Sequence, residues 1–335
     1  MHFTSDWDSV PHGLEFLSPD DVDRTEMHLL FGGIRTWPWD EEYPEHYNII
    51  CTNMVPFQPC ERPDNWLEVP KSILDDSSYN LALFESYDGP EKPGFAAPLD
   101  VVNLGNKALG LRPEQTRRII EKQGSFADHF FSESTSDSSV ELAFRWTTMP
   151  GSYLMFMGRF TPKLLVREKS SRGMDKKITR MVGFVAHRSI FPISPDEGEW
   201  NERSVFAPEL RKALNKREGE LEQNPLKVFA VVLELCVAHL DEKIEELEAK
   251  VDGISEEDLA EKAREMGPRV SGMKKACADL IAICDASRHV ATRWSQKLKD
   301  TKTQRCAEEL KKDVQRVMGW VELRLEKLKD LDRVL

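Results

Sequence analysis

The chain has 335 residues, 58 acidic and 46 basic side chains and a formal net charge of −12, a balance that excludes a basic nucleic-acid binder held by phosphate contacts. Hydrophobic residues make up 40 % and charged residues 31 %, which allows a sizeable core in a chain long enough for two domains and argues against wholesale disorder. No window reaches the roughly 18 uninterrupted apolar residues of a membrane span; the most apolar run, Val228 to Ala238, contains Glu234, and the start of the chain has no basic segment followed by an apolar block, so the reading is cytoplasmic.

Sixteen of the nineteen prolines precede residue 208. Proline is excluded from helix interiors, so short elements are predicted over 1–207 and long helices over 208–335, with the domain boundary between them. HLLFGGI, YNIIC, LALF and LDVVNL read as short strands, and PEQTRRIIEKQG as a short helix stopped at Gly124. SESTSDSS, residues 132–139, has no apolar anchor and reads as a loop. VELAFRWT then sets Val140, Leu142, Phe144 and Trp146 on one face, the period-two pattern of a half-buried strand. YLMFMGRF, LLVRE and ITRMVGFVA continue the series as antiparallel strands, with Lys169 to Lys177 as a hairpin connection. After Pro225 the rhythm changes to heptads, and three long antiparallel helices are predicted over about 225–251, 269–298 and 303–335, with Gly267 and Pro268 ending one segment and starting the next. The predicted class is α+β or α/β: a mixed, largely antiparallel sheet domain with short helices, followed by the helical domain.

The chemistry on offer is sparse. GxGxxG, P-loop, HExxH and GxSxG patterns are missing, and the chain reads as a non-enzyme. Six cysteines without CxxC pairs read as reduced thiols, three of them on apolar helical stripes. His239 and His289 lie near the seams of the first two long helices and read as packed or surface side chains in preference to a metal bridge. Asp241, Glu242, Glu245, Glu246 and Glu248 concentrate carboxylate on the first long helix. They are the candidate site for weakly bound Mg²⁺, a hard cation that takes carboxylate oxygen and keeps several waters. Arg167, Lys169, Arg172, Lys176, Lys177 and Arg180 form a basic patch around the predicted hairpin, able to hold an anion or an acidic membrane surface; without aromatic side chains to stack bases it is not read as a nucleic-acid site. Leu310, Val314, Val317, Val321, Leu328, Leu331 and Leu335 form an apolar seam on the last helix, the candidate contact of a homo-oligomer.

Three segments carry a resemblance: FRWTTMP at 144–150, LELCVAHLDEKIEELEAKV at 233–251 and KKDVQRVMGWVELRLEKLKDL at 311–331. With them the chain resembles the cytosolic part of CorA-like divalent-cation transporters, particularly the divergent fungal type, in which an α/β domain precedes two antiparallel helices and a long stalk helix. The resemblance implies a cytosolic regulatory or assembly domain, an oligomer and a membrane part or membrane partner. That family's two transmembrane helices and Gly-Met-Asn motif are not found in these residues, so no transport by this chain alone is expected. The location implied is cytoplasmic, or the cytoplasmic face of a membrane if the native chain continues into membrane helices. The other reading, of a different class, is a soluble coiled-coil interaction protein or scaffold.

Overall fold

The computed structural model describes residues 15–16, 25–31, 48–51, 78–87, 94–95, 125–131, 139–149, 152–164, 177–189, 206–252, 259–299 and 301–334. The fold is α+β. Nine strands are described: β1 (Glu15–Phe16), β2 (Thr25–Phe31), β3 (Asn48–Cys51), β4 (Tyr79–Tyr87), β5 (Gly94–Phe95), β6 (Phe126–Phe131), β7 (Val140–Met149), β8 (Ser152–Leu164) and β9 (Lys177–Ser189). Seven of them form one sheet in the order β3-β2-β4-β9-β8-β7-β6, while β1 and β5 pair separately. Within the large sheet β4 and β9 run parallel and every other pair is antiparallel.

The alternation of β7 fixes which face meets the helices. Phe144 and its cross-strand partner Phe156 stack at 6.0 Å, and Phe229 of the first long helix meets both rings edge-on at 5.5 and 5.2 Å. Trp146, on the same face, donates Nε1–H to the Ala276 carbonyl oxygen at 2.8 Å. The opposite face of the central strands is buried as well, through Phe84, Met155, Met157 and Phe184, which is why β8 reads as a nearly unbroken apolar run. Gly158 and Gly183 face each other across β8 and β9. A Cβ at Gly183 would clash with the Met157 carbonyl oxygen, so the two strands approach here only because Gly183 carries no side chain.

Five helices follow: α1 (Phe206–Lys216), α2 (Glu218–Gln223), α3 (Lys227–Asp252), α4 (Leu259–Lys297) and α5 (Thr301–Val334). α4 packs on β6 and β7, α3 on β8, and α5 on α3 and α4. α4 returns antiparallel to α3, and α5 runs parallel to α3, because its partners on α3 rise in step with its own numbering. One hydrophobic cluster joins the sheet face to the bundle.

Two expectations need correction. The helix predicted over 269–298 starts at Leu259 and runs through Pro268. A proline costs an interior helix one backbone hydrogen bond, but here Met266, Val270 and Met273 bury the α4 face on both sides of it while Pro268 itself is exposed. Packing overrides the stop signal. The residues from 206 to 223 also form α1 and α2, signalled by Phe206, Leu210 and Leu214 at four-residue steps. β8 extends to Leu164, the first residue of the LLVRE segment predicted as a separate strand. The LDVVNL and PEQTRRIIEKQG segments lie outside the described residues, as do residues 132–138 of the predicted loop and 165–176 of the predicted hairpin.

Candidate functional site

Charged side chains on α3 recur every seven residues at Lys227, Glu234, Asp241 and Glu248, so they stand in one line on the helix surface. α5 answers each of them. Lys227 Nζ lies 3.9 Å from Glu309 Oε2 and 3.0 Å from Glu220 Oε2. Glu234 accepts from Arg316 at 3.0 Å and from Arg217 at 2.6 Å. Asp241 accepts two parallel bonds from the Arg324 guanidinium, each 2.7 Å, and Glu248 accepts from Lys327 Nζ at 2.6 Å. Below this ladder, apolar side chains of the three helices close the seam.

The five carboxylates expected to hold Mg²⁺ are therefore not gathered into one ligand set. Asp241 and Glu248 are turned onto cations of α5, Glu246 takes Lys243 at 2.7 Å, and Glu242 lies 3.9 Å from His239 Nδ1. Glu245 is exposed. Among the described residues no group of three or more His, Cys, Asp or Glu side chains is arranged to hold a metal ion. A carboxylate bridged by a guanidinium offers its lone pairs to the cation already there.

The seam on α5 is filled from within the chain. Leu310, Val314, Val317, Val321 and Leu328 are buried against α3 and α4, and Leu331 is half-buried; Leu335 lies outside the described residues. The seam was expected to meet a second copy because its partners were unknown; the hairpin with α4 and the parallel run of α3 supply them. A different line of α5 stays open. Leu323 and Val334 are 65 % and 62 % exposed, the two large hydrophobic side chains so exposed among the described residues. They are three turns apart on one face, and half-buried Trp320 lies one turn before Leu323, with the Arg316 guanidinium 5.3 Å from its ring.

Of the basic patch, Lys177 and Arg180 lie in β9, opposite Leu164 and Thr161 of β8. Arg167, Lys169, Arg172 and Lys176 lie outside the described residues. Cys236, Cys277, Cys284 and Cys306 are buried, and burial pushes Cys277 up to about 11 and Cys284 up to about 12, which keeps both protonated and inert. His239 and His289 do not meet in a shared ligand set. His239 lies edge-on to the Trp146 ring at 6.2 Å, and burial, reinforced by His187 and Lys243, lowers it to about 4; His289 is exposed beside Asp285. Sequence reasoning missed the partners of the α3 line, which lie some eighty positions away; the seven-residue recurrence of charge was the available signal.

No family model matches the sequence, and no curated protein matches it. In three dimensions it is similar to the soluble domain of CorA from Methanocaldococcus jannaschii, with a TM-score of 0.39 and 12 % identity over 78 % of this chain and 90 % of that one. It is also similar to the complete CorA magnesium transporter from the same organism, with a TM-score of 0.39 and 11 % identity over 91 % and 74 % of the two chains. A third similar structure is the full-length CmaX protein, at a TM-score of 0.37 and 11 % identity over 93 % and 77 %. These likenesses add no residue to the site, which rests on the chain's own geometry. Among the described residues no helix is long and apolar enough to cross a membrane.

Proposed function

We propose that the chain is a cytosolic regulatory and assembly domain of a CorA-like divalent-cation transporter, with no transport by these residues alone. The sequence resemblance at 144–150, 233–251 and 311–331 supports this reading, as does the order of elements, a sheet followed by a helical bundle whose last member is a 34-residue helix. The observation that carries the assembly role is the outer line of α5. Once the inner seam is closed within the chain, Trp320, Leu323 and Val334 still present apolar surface along one face, and burying such surface between copies stabilises an oligomer by about 25 cal/mol per Å². The partner in this reading is another copy of the chain, and the assembly stands beside a membrane part.

Sedimentation of the parent and of Leu323→Asp tests it. Self-association that the substitution abolishes, with the melting temperature retained, is the expected outcome, because an exposed position tolerates charge. A parent that stays monomeric at high concentration removes the assembly role. The alternative, a soluble coiled-coil scaffold, is favoured by the closed inner seam, since a bundle satisfied within one chain stands without a membrane part. It predicts capture of a different protein by the same outer line.

A further inference from the structure

The buried positions of α4, including Met266, Val270, Met273, Cys277, Leu280 and Cys284, alternate in steps of four and three, and those of α5 at Leu310, Val314, Val317 and Val321 do the same. A strict seven-residue repeat has a weakness. If the α4–α5 hairpin slides along α3 by one heptad, about 10 Å, the same apolar faces meet again. The Trp146 bond to the Ala276 carbonyl does not forbid the slide, because a backbone carbonyl recurs at the same place on α4 one heptad away.

Three of the four ladder rungs do not forbid it either. Glu234, Asp241 and Glu248 are all acidic and face Arg316, Arg324 and Lys327. After a one-heptad slide Arg324 meets Glu234 or Glu248 in place of Asp241, and sliding in the first of these directions also brings Lys327 to Asp241. The first rung has the opposite polarity, with the cation on α3 and the anion on α5. Sliding one way sets Lys227 against Arg316. Sliding the other way sets Glu309 against Glu234 and Lys227 against Lys302. Glu309 is also held in place by the Asn224 side-chain amide, which donates to it at 3.1 Å.

We propose that the sign-inverted Lys227–Glu309 rung is a register lock: the three equivalent rungs hold α5 on α3, and the inverted one decides where along it. Like charges brought face to face are costly, and a single polar exception in a repeating interface is a recognised way to specify one alignment. The consequence is mechanical. With its register fixed, α5 moves with α3 as one body, so a displacement of α3 against the sheet is carried to the Val334 end. The lock stands independently of the assembly role.

Zero-length carbodiimide cross-linking of the full chain, read by mass spectrometry, tests it, since this chemistry joins a lysine to the carboxylate it touches. In the parent, Lys327 joins Glu248, its partner at 2.6 Å. In Lys227→Ala/Glu309→Ala the like-charge contacts of both slides are lifted, and a Lys327–Asp241 link rises at least about tenfold over the parent. The polarity-swapped pair Lys227→Glu/Glu309→Lys keeps the attraction at the native rung, so it protects against loss of fold, and gives the same shifted link. Links confined to Glu248 in both variants overturn the lock.

Discussion

The sheet and the bundle hold together by different means. In the sheet, side chains of β4, β8 and β9 are buried on both faces, and alignment is fixed by backbone ladders that admit one register, because a one-residue slip would turn every side chain to the wrong layer. In the bundle the backbone is satisfied within each helix and the seam repeats, so alignment falls to side chains on its rim. Burial supplies the larger energy in both regions. In the bundle, exposed charges pair from helix to helix, and that is where the sequence is richest in Glu, Lys and Arg.

The sharpest break is at the joint between the two regions. Phe229 is fully buried and touches Phe144 and Phe156 at once. Phe229→Ala should cost about 3–5 kcal/mol in denaturant unfolding, from lost transfer energy and the cavity left behind. Coincident loss of sheet and helix signals would show that the regions unfold together. A transition confined to helix, with the sheet unmoved, would show that the sheet holds without the joint.

Acid provides a gentler test of the same joint. His239 titrates near 4 in the folded protein, below its ordinary 6.5, because burial against Trp146 disfavours the charged ring; His187 and Lys243 act in the same sense, and Glu246 opposes them. The denatured chain therefore takes up the proton first as pH falls. The contribution is fully present above about pH 6.5 and lost as pH drops towards 4. Its size is about 2 kcal/mol once partial solvent screening is allowed for. The stability difference between the parent and His239→Gln, measured from pH 7 to 4, should narrow by this amount; a constant difference would place the imidazole in water.

Much of the architecture was legible. Alternation gave β7, the apolar runs that continue it gave β8 and β9, and three-four spacing gave α3 and α5 to within a few residues. The strand β6 was not found because Asp128 and His129 interrupt its apolar residues, so no period of two appears. Pro268 misled because its cost is local, while the burial of Met266 and Val270 that offsets it depends on partners far along the chain. The carboxylates at 241 and 248 were legible as a cluster but not as halves of ion pairs, because Arg324 and Lys327 reach them only after the hairpin turns back. Charge on one helix face cannot say what stands opposite. The same blindness made the inner α5 seam look like an oligomer contact.

The smallest effect separates position from stability within the bundle itself. Asp241 and Arg324 are joined by two bonds of 2.7 Å, yet both side chains are partly open to water, at 39 % and 26 %. A paired geometry of this kind is favourable, but solvent screens it and two flexible side chains must be ordered. A double-mutant cycle through Asp241→Asn and Arg324→Gln should therefore return a coupling of about 0.5–1 kcal/mol, shrinking as salt is raised from 0.05 to about 0.5 M because the Debye length falls several-fold. Each single variant should cost little more than the coupling, since the freed partner can turn to water. A coupling of several kcal/mol that ignores salt would mean that the pair is dry and belongs to the core, and the contrast between a sheet held by burial and a bundle positioned by rim charges would fail at this rung.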